Sequence, residues 1–245
     1  MAGTAVLGRL TWRVADVVAV VEETATARTL VLDVPGWAGH LPGQHVDLRL
    51  SAEDGYSTQR SFSVANAPSG STVELTVQRV DGGEVSSYLV DEVRAGDQIE
   101  LRGPVGGYFL WRPEWTDPVL LLAGGSGVVP LAAIARTAAA ASAPAPMRLI
   151  YSVRSPADVL YAAELGRRAA AGGLAVTFGY TRQAPPGWPR PPGRLDAALL
   201  AEAGWPAGAN PRCYLCGPTA FVEAMADLLV AAGHRPDRIR TERFG

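Results

Sequence analysis

The hydrophobic pattern of this chain changes period once, across Arg112-Pro113-Glu114-Trp115-Thr116-Asp117-Pro118, and that change limits the folds open to it. Before it, short β-rich runs at 29–34, 44–50, 72–80 and 97–101 are separated by Pro35-Gly36, Pro42-Gly43, Asp54-Gly55 and Asp81-Gly82-Gly83. Glycines at those points supply the positive φ that tight strand reversals need, so the first segment reads as an antiparallel β-barrel. One helix, at 86–92, interrupts it. After the change, strands at 119–123, 147–153, 174–180 and 212–215 alternate with helices at 130–141, 157–171 and 219–232. Such alternation builds a parallel sheet covered on both faces, joined by right-handed crossovers. Residues 183–193, with five prolines, read as a loop inside this unit. The expected fold class is two-domain: an antiparallel β-barrel over 1–113, followed by an α/β parallel-sheet domain over 117–245.

Composition excludes several function classes. With 245 residues and 48% hydrophobic content, two domains of ordinary size can each bury a core. A formal net charge of -2 is not that of a nucleic-acid binder, which carries a clustered basic excess. All 22 basic residues are arginine, which carries no functional weight here. Arg9, Arg13 and Asp16 interrupt the N-terminal stretch where a signal peptide needs a continuous apolar core. No apolar run approaches the ~20 residues that span a bilayer, so the expected location is cytoplasmic, with no membrane partner. Cys213-Tyr214-Leu215-Cys216 has the C-x-x-C spacing, but a redox dithiol needs a helix N-terminus at its first cysteine, and the helix expected here starts only after Pro218. Neither a disulfide framework nor a metal site is expected.

The strongest local signal is the buried strand ending at Ala123 that runs into Gly124-Gly125-Ser126-Gly127 ahead of a helix. In a parallel sheet, dinucleotides bind at strand C-terminal ends, where glycines admit a pyrophosphate and a helix N-terminus offers unpaired N–H groups. Pro130 suits the first helical turn, where its missing N–H costs nothing. The spacing departs from G-x-G-x-x-G, and a plain strand-to-helix turn is the alternative.

Four segments in fixed order then give the chain a family likeness: Arg60-Ser61-Phe62-Ser63, Gly83-Glu84-Val85-Ser86, the glycine turn, and Cys216-Gly217-Pro218, with Glu242-Arg243-Phe244-Gly245 at the end. From about Arg13 onward the chain resembles the ferredoxin-NADP reductase family, whose members pair an FAD-binding barrel with a pyridine-nucleotide domain. Phe62 stands where the family more often has tyrosine. The resemblance implies that Arg60 pairs with the FAD pyrophosphate, that Phe62 lies against the isoalloxazine, and that Ser63 bonds near flavin N5. A guanidinium fork suits phosphate and an aromatic face suits a flat heterocycle; a surface ion pair and a core aromatic are the other readings. Gly83, Val85 and Ser86 fall in the second FAD segment, where Ser86 is also a plausible helix N-cap. Gly103-Pro104-Val105-Gly106-Gly107 resembles the loop that closes the barrel and is assigned no chemistry.

By the same resemblance Cys216, followed by Gly217 and Pro218, lies near the reactive nicotinamide carbon; a structural core thiol is the alternative. Phe244 would cover the flavin face that the nicotinamide must reach, and Glu242 would polarise or relay a proton near N5. Gly245 departs from members that end on the aromatic. Thr181-Arg182 stands where NADP-using members carry Ser-Arg, a cradle for a 2′-phosphate. This favours NADPH, with NADH as the alternative; the family's following lysine and tyrosine are missing, and Arg190 or Arg194 could substitute.

The implied activity is that of an FAD-dependent NAD(P)H oxidoreductase passing electrons singly to a separate carrier such as ferredoxin. No C-x4-C-x2-C run is present, so an attached plant-type iron-sulfur domain is not expected. Two alternatives stand: a dissociable reductase subunit feeding an oxygenase, haem or molybdenum enzyme directly, and a non-catalytic FAD- and nucleotide-binding regulatory subunit. Arg79, Arg94 and Arg102 are candidates for steering an acidic carrier.

Overall fold

The computed structural model describes residues 10–51, 55–142 and 144–244; Asp54 of the expected Asp54-Gly55 turn, Arg9 and Gly245 lie outside them. The N-terminal half is a six-stranded antiparallel sheet: β1 (Arg13–Thr24), β2 (Ala27–Asp33), β3 (His45–Ser51), β4 (Ser57–Ser63), β5 (Thr72–Gln78) and β6 (Gln98–Val105). Their spatial order is β4-β3-β6-β1-β2-β5. A bridge between Val64 and Leu75 brings the β4 and β5 ends together and curls the sheet towards a barrel. Alternation decides what goes inside: Val46 and Leu48 of β3, Val73, Leu75 and Val77 of β5, and Ile99 and Leu101 of β6 point inwards and are buried. Gly36, Gly43, Gly55 and Gly82 all have positive φ at the expected reversals. Helix α1 (Glu84–Asp91) closes one end with Val85, Leu89 and Val90.

The C-terminal half is a five-stranded parallel sheet of β7 (Val119–Gly124), β8 (Met147–Val153), β9 (Ala175–Tyr180), β10 (Arg212–Pro218) and β11 (Ile239–Phe244), ordered β11-β10-β7-β8-β9. Every residue of β7 is buried, as expected of a strand covered on both faces. Val119, Leu121 and Ala123 face α2 (Val128–Ala139) and α3 (Ala162–Ala170). Leu120 and Leu122 face α4 (Ala197–Ala203) and α5 (Thr219–Ala231). Pro130 lies in the first turn of α2. The first of these clusters continues into the barrel half through Ala27, Ala65, Phe109 and Trp111. Among the described residues no helix is long and apolar enough to cross a membrane.

Three local expectations are corrected. The helix expected at 157–171 is split, because Tyr161 adopts φ 57° and α3 begins only at Ala162; before it lies one short turn at Pro156–Asp158. Two further elements were not expected: β11, whose centre is Arg240-Thr241-Glu242-Arg243, and α4, only seven residues long; both form against the completed sheet. Ser86 is not an N-cap: α1 starts at Glu84, Gly83 holds the N-cap position, and the Ser86 hydroxyl turns back to Gly83 O (3.3 Å) and Val80 N (3.1 Å).

The buried His40 fixes a long loop. It accepts from Trp37 Nε1 through Nδ1 (3.3 Å), which leaves Nε2–H to donate to Asn66 O (3.1 Å). Burial holds this imidazole below its usual value of 6.5. A group whose folded value is depressed destabilises the fold as pH drops, because the unfolded chain takes up a proton the folded one resists. Urea midpoints should therefore hold above about pH 7 and fall as pH drops below the usual imidazole value of 6.5. A His40→Gln variant should lose part of that slope.

Candidate active site

A cavity of about 1140 Å3 opens between the two halves, with Gly124, Gly125, Ser126, Thr181, Pro218 and Phe244 among its walls. It lies at the C-terminal ends of β7, β8, β9 and β10, where the crossovers leave a crevice. The glycine turn has a steric cause. A Cβ on Gly127 would sit 2.1 Å from Cys216 O, and one on Gly124 or Gly217 would sit 2.8 Å from the Phe221 ring. The ends of β7 and β10 thus pack backbone to backbone, and Phe221 of α5 covers the seam. Gly125 has φ 55° with open space where its side chain would be, so bare backbone faces the cavity.

On the barrel side, β4 carries the Arg-Ser-Phe-Ser segment at the sheet edge. The Arg60 guanidinium is exposed and bonds only to Thr58 Oγ1 and Gln59 O; it forms no ion pair among the described residues. Ser61 is spent on the barrel's outer surface, donating to Asp47 (2.7 Å). Phe62 is half-buried against the barrel core. Next to β4, α1 begins at Gly83 with no side-chain cap, which leaves first-turn N–H groups and the positive end of the helix dipole for an anion. Val85 buries its side chain in the barrel and can offer only its backbone N–H. An unpaired guanidinium, uncapped helix N–H groups and an aromatic face fit the pyrophosphate and ring system of FAD.

The two halves meet at Ser63, whose hydroxyl donates to Glu242 Oε1 at 3.3 Å. Cys216 pairs in register with Glu242, and Pro218 with Phe244, so the β10 and β11 ends set these groups side by side. Burial holds the Glu242 carboxyl above the usual carboxylate range, against the lowering effect of the Ser63 bond. Burial, with Glu242 nearby, pushes the Cys216 thiol well above the usual range. Cys213 packs on the opposite face of the sheet and is pushed up to about 12 by burial. The two thiols therefore cannot act as a dithiol pair.

At the far end of the cavity Thr181 donates to Val153 O (3.2 Å). Arg154 and Arg194 line the cavity together with Thr181, whereas Arg182 does not. Arg154, Asp158 and Phe221 were not read from the sequence; the strand-end rule that singled out Gly124 reaches Arg154 and Asp158 when applied to β8, one strand over. Of the arginines considered for partner steering, Arg79 pairs with Asp91 and Arg102 with Asp47, and Arg94 is spent on backbone carbonyls.

Gly127→Ala should force the β7 and β10 ends apart and cost at least ~2 kcal/mol of stability by overpacking. Urea denaturation of the two proteins measures it.

Comparison with known proteins gives this arrangement a lineage. Residues 14–109 match the oxidoreductase FAD-binding domain and residues 121–227 the oxidoreductase NAD-binding domain. The chain is 33% identical to the aromatic O-demethylase reductase subunit of an Amycolatopsis species, over 98% of this chain and 73% of that protein. It is 31% identical to the ferredoxin–NAD(P)+ reductase component of the naphthalene 1,2-dioxygenase system of Pseudomonas putida, over 83% of this chain. It spans 60% of that relative's length. Among solved structures, the flavohaem-like FAD/NAD-binding domain of nitric oxide dioxygenase from Vibrio cholerae superposes with a TM-score of 0.84 at 27% identity, over 95% of this chain and 98% of that one.

Proposed function

The chain belongs to the ferredoxin-NADP reductase family, and from that premise we propose that it is an FAD-dependent NAD(P)H oxidoreductase delivering single electrons to a separate protein. The observation that carries the reading is the contact from Ser63 to Glu242 across the domain junction, beside Cys216 and under the cavity rim formed by Phe244. A pure binding module has no use for a half-buried carboxylate, a hydroxyl and a buried thiol gathered where two ligand-binding halves meet. FAD, when bound, accepts two electrons from a nicotinamide and returns them one at a time.

The residues then divide the work. Arg60 and the first-turn N–H groups of Val85 and Ser86 would hold the flavin pyrophosphate, with Gly83, whose own N–H goes to Val80 O (2.8 Å), as the bare N-cap beside it, and Phe62 would back the ring. The Gly124-Gly125-Ser126-Gly127 turn would hold the coenzyme pyrophosphate through Gly124, Gly125 and Ser126, with Pro218 on the cavity wall and Gly217 packed behind it against Phe221. Phe244 shields the flavin face until the nicotinamide displaces it, which keeps water out. Cys216, buried and held as a neutral thiol, backs the nicotinamide site from behind the cavity wall without adding charge. Ser63 orients Glu242, whose raised affinity for a proton suits it to exchange one near flavin N5.

Coenzyme choice rests on Thr181 together with Arg154 and Arg194, which line the cavity where Arg182 does not; two guanidinium groups there favour the 2′-phosphate of NADPH. NADH is the second reading, favoured by Asp158, which also lines the cavity and whose carboxylate suits a ribose 2′-hydroxyl. The acceptor is a ferredoxin or another one-electron carrier. Direct delivery to an oxygenase component is a second reading, since both named relatives are components of multi-protein systems.

The yellow protein mixed anaerobically with NADPH should bleach rapidly in a stopped-flow instrument, and more slowly with NADH. Preference for NADH would keep the reductase and remove the 2′-phosphate cradle; no bleaching with either coenzyme would overturn the reductase reading. Glu242→Gln should slow bleaching by on the order of 10²-fold while leaving coenzyme affinity unchanged.

A further inference from the structure

Away from the chemistry, one tyrosine grips the barrel at two points. The Tyr161 hydroxyl donates to Thr76 Oγ1 at 2.5 Å, Thr76 and Thr29 share a hydrogen bond of 2.7 Å, and Thr29 donates to Glu23 Oε1 at 2.7 Å. The ring closes where Glu23 Oε2 accepts from the Tyr161 backbone N–H at 3.3 Å. Three barrel strands, β1, β2 and β5, are thereby tied to the residue that opens α3. Tyr161 does this while buried and in the left-handed backbone region at φ 57°, which a bulky residue adopts only when its surroundings impose it.

Arg136 of α2 makes the second tie. Its guanidinium lies 4.6 Å over the Tyr161 ring, donates to Glu164 at 2.6 Å and to Ala65 O at 2.7 Å, and approaches Glu74 at 3.5 Å. Arg168 holds the other side of Glu164 at 2.7 Å. Ala65 lies two residues beyond Ser63, and α2 begins directly after the glycine turn. Arg136 therefore links the strand that carries the Arg-Ser-Phe-Ser segment to the helix that carries the coenzyme turn. Asp158, three residues before Tyr161, lines the cavity itself.

We propose that Tyr161 and Arg136 are positioning residues: they fix the nucleotide domain against the barrel and so set how closely the coenzyme's reacting carbon can approach the flavin. The proposal rests on the reductase reading above. Its physical basis is that transfer between two held reactants depends on sub-ångström placement, and a small rotation about the domain junction shifts one partner against the other. Neither residue lines the cavity.

The test uses the flavin-loaded protein with Tyr161→Phe, which removes one hydroxyl, and Arg136→Lys, which keeps the charge but loses the fork. Val17→Ala, in the barrel core away from both ties, is the structural control. Each tie variant should lower the limiting rate of flavin bleaching by about 10-fold and change the half-saturating coenzyme concentration by less than about 2-fold. In scanning calorimetry the wild type should unfold in one transition and the tie variants in two, because the halves lose their coupling. Val17→Ala should lower Tm while keeping one transition and the wild-type limiting rate. Wild-type limiting rates in Tyr161→Phe, or an equal rate loss in Val17→Ala, would overturn the proposal. If Arg136→Lys does not fold, Tyr161→Phe decides alone. A wild type that does not bleach removes the reductase reading, and the calorimetry then reads the ties by themselves: an unsplit transition overturns them.

Discussion

The structure depends on an apolar cluster that does not stop at the boundary between its halves. Leu121, Ala123, Val128, Leu131 and Ile134 of the parallel sheet and its first helix pack in one body with Ala65, Phe109 and Trp111 from the barrel side. Phe109 meets the Tyr214 ring edge-on at 5.4 Å, and the Tyr214 hydroxyl donates to Leu110 O at 2.7 Å. Burial of this kind is non-directional and alone would let the halves slide. Directional bonds around its margin, from Tyr161, Arg136 and Ser63, remove that freedom. A cavity between two halves keeps its shape only with both: the apolar contact for strength and the polar margin for register.

Much of this was legible in the sequence because it follows from period and from glycine. Buried parallel strands read as continuous apolar runs, and β7 is one; the barrel reversals announce themselves through Gly36, Gly43 and Gly82. The glycine turn was found for the phosphate it could hold, yet a second cause appears only in three dimensions, where Gly127 must admit the carbonyl of Cys216. Strand β11 was not legible. Its residues Arg240 and Thr241 are only half-buried, and it exists because β10 offers an open edge to pair with. Tyr161 broke an expected helix for a similar reason: hydrogen bonds to Glu23 and Thr76, 138 and 85 residues away in sequence, outweigh the local preference for helix.

The candidate site follows the same division. Single residues such as Ser63, Cys216 and Glu242 could be named from the family resemblance. Their mutual contact could not, since Ser63 and Glu242 are separated by 179 positions and belong to different sheets. Nor could spacing tell that Ser61 would face outwards to Asp47 while its neighbours Arg60 and Phe62 remain available.

The burial of Cys216 carries a consequence for endurance. Oxidants attack thiolates, and a sulfur that is almost wholly enclosed and held far above its usual ionisation range stays a thiol. Bound FAD, once reduced, would be a source of peroxide if oxygen reached it. A cysteine near such a source would keep its sulfur only if it were unreactive, and the enclosure of Cys216 would protect it.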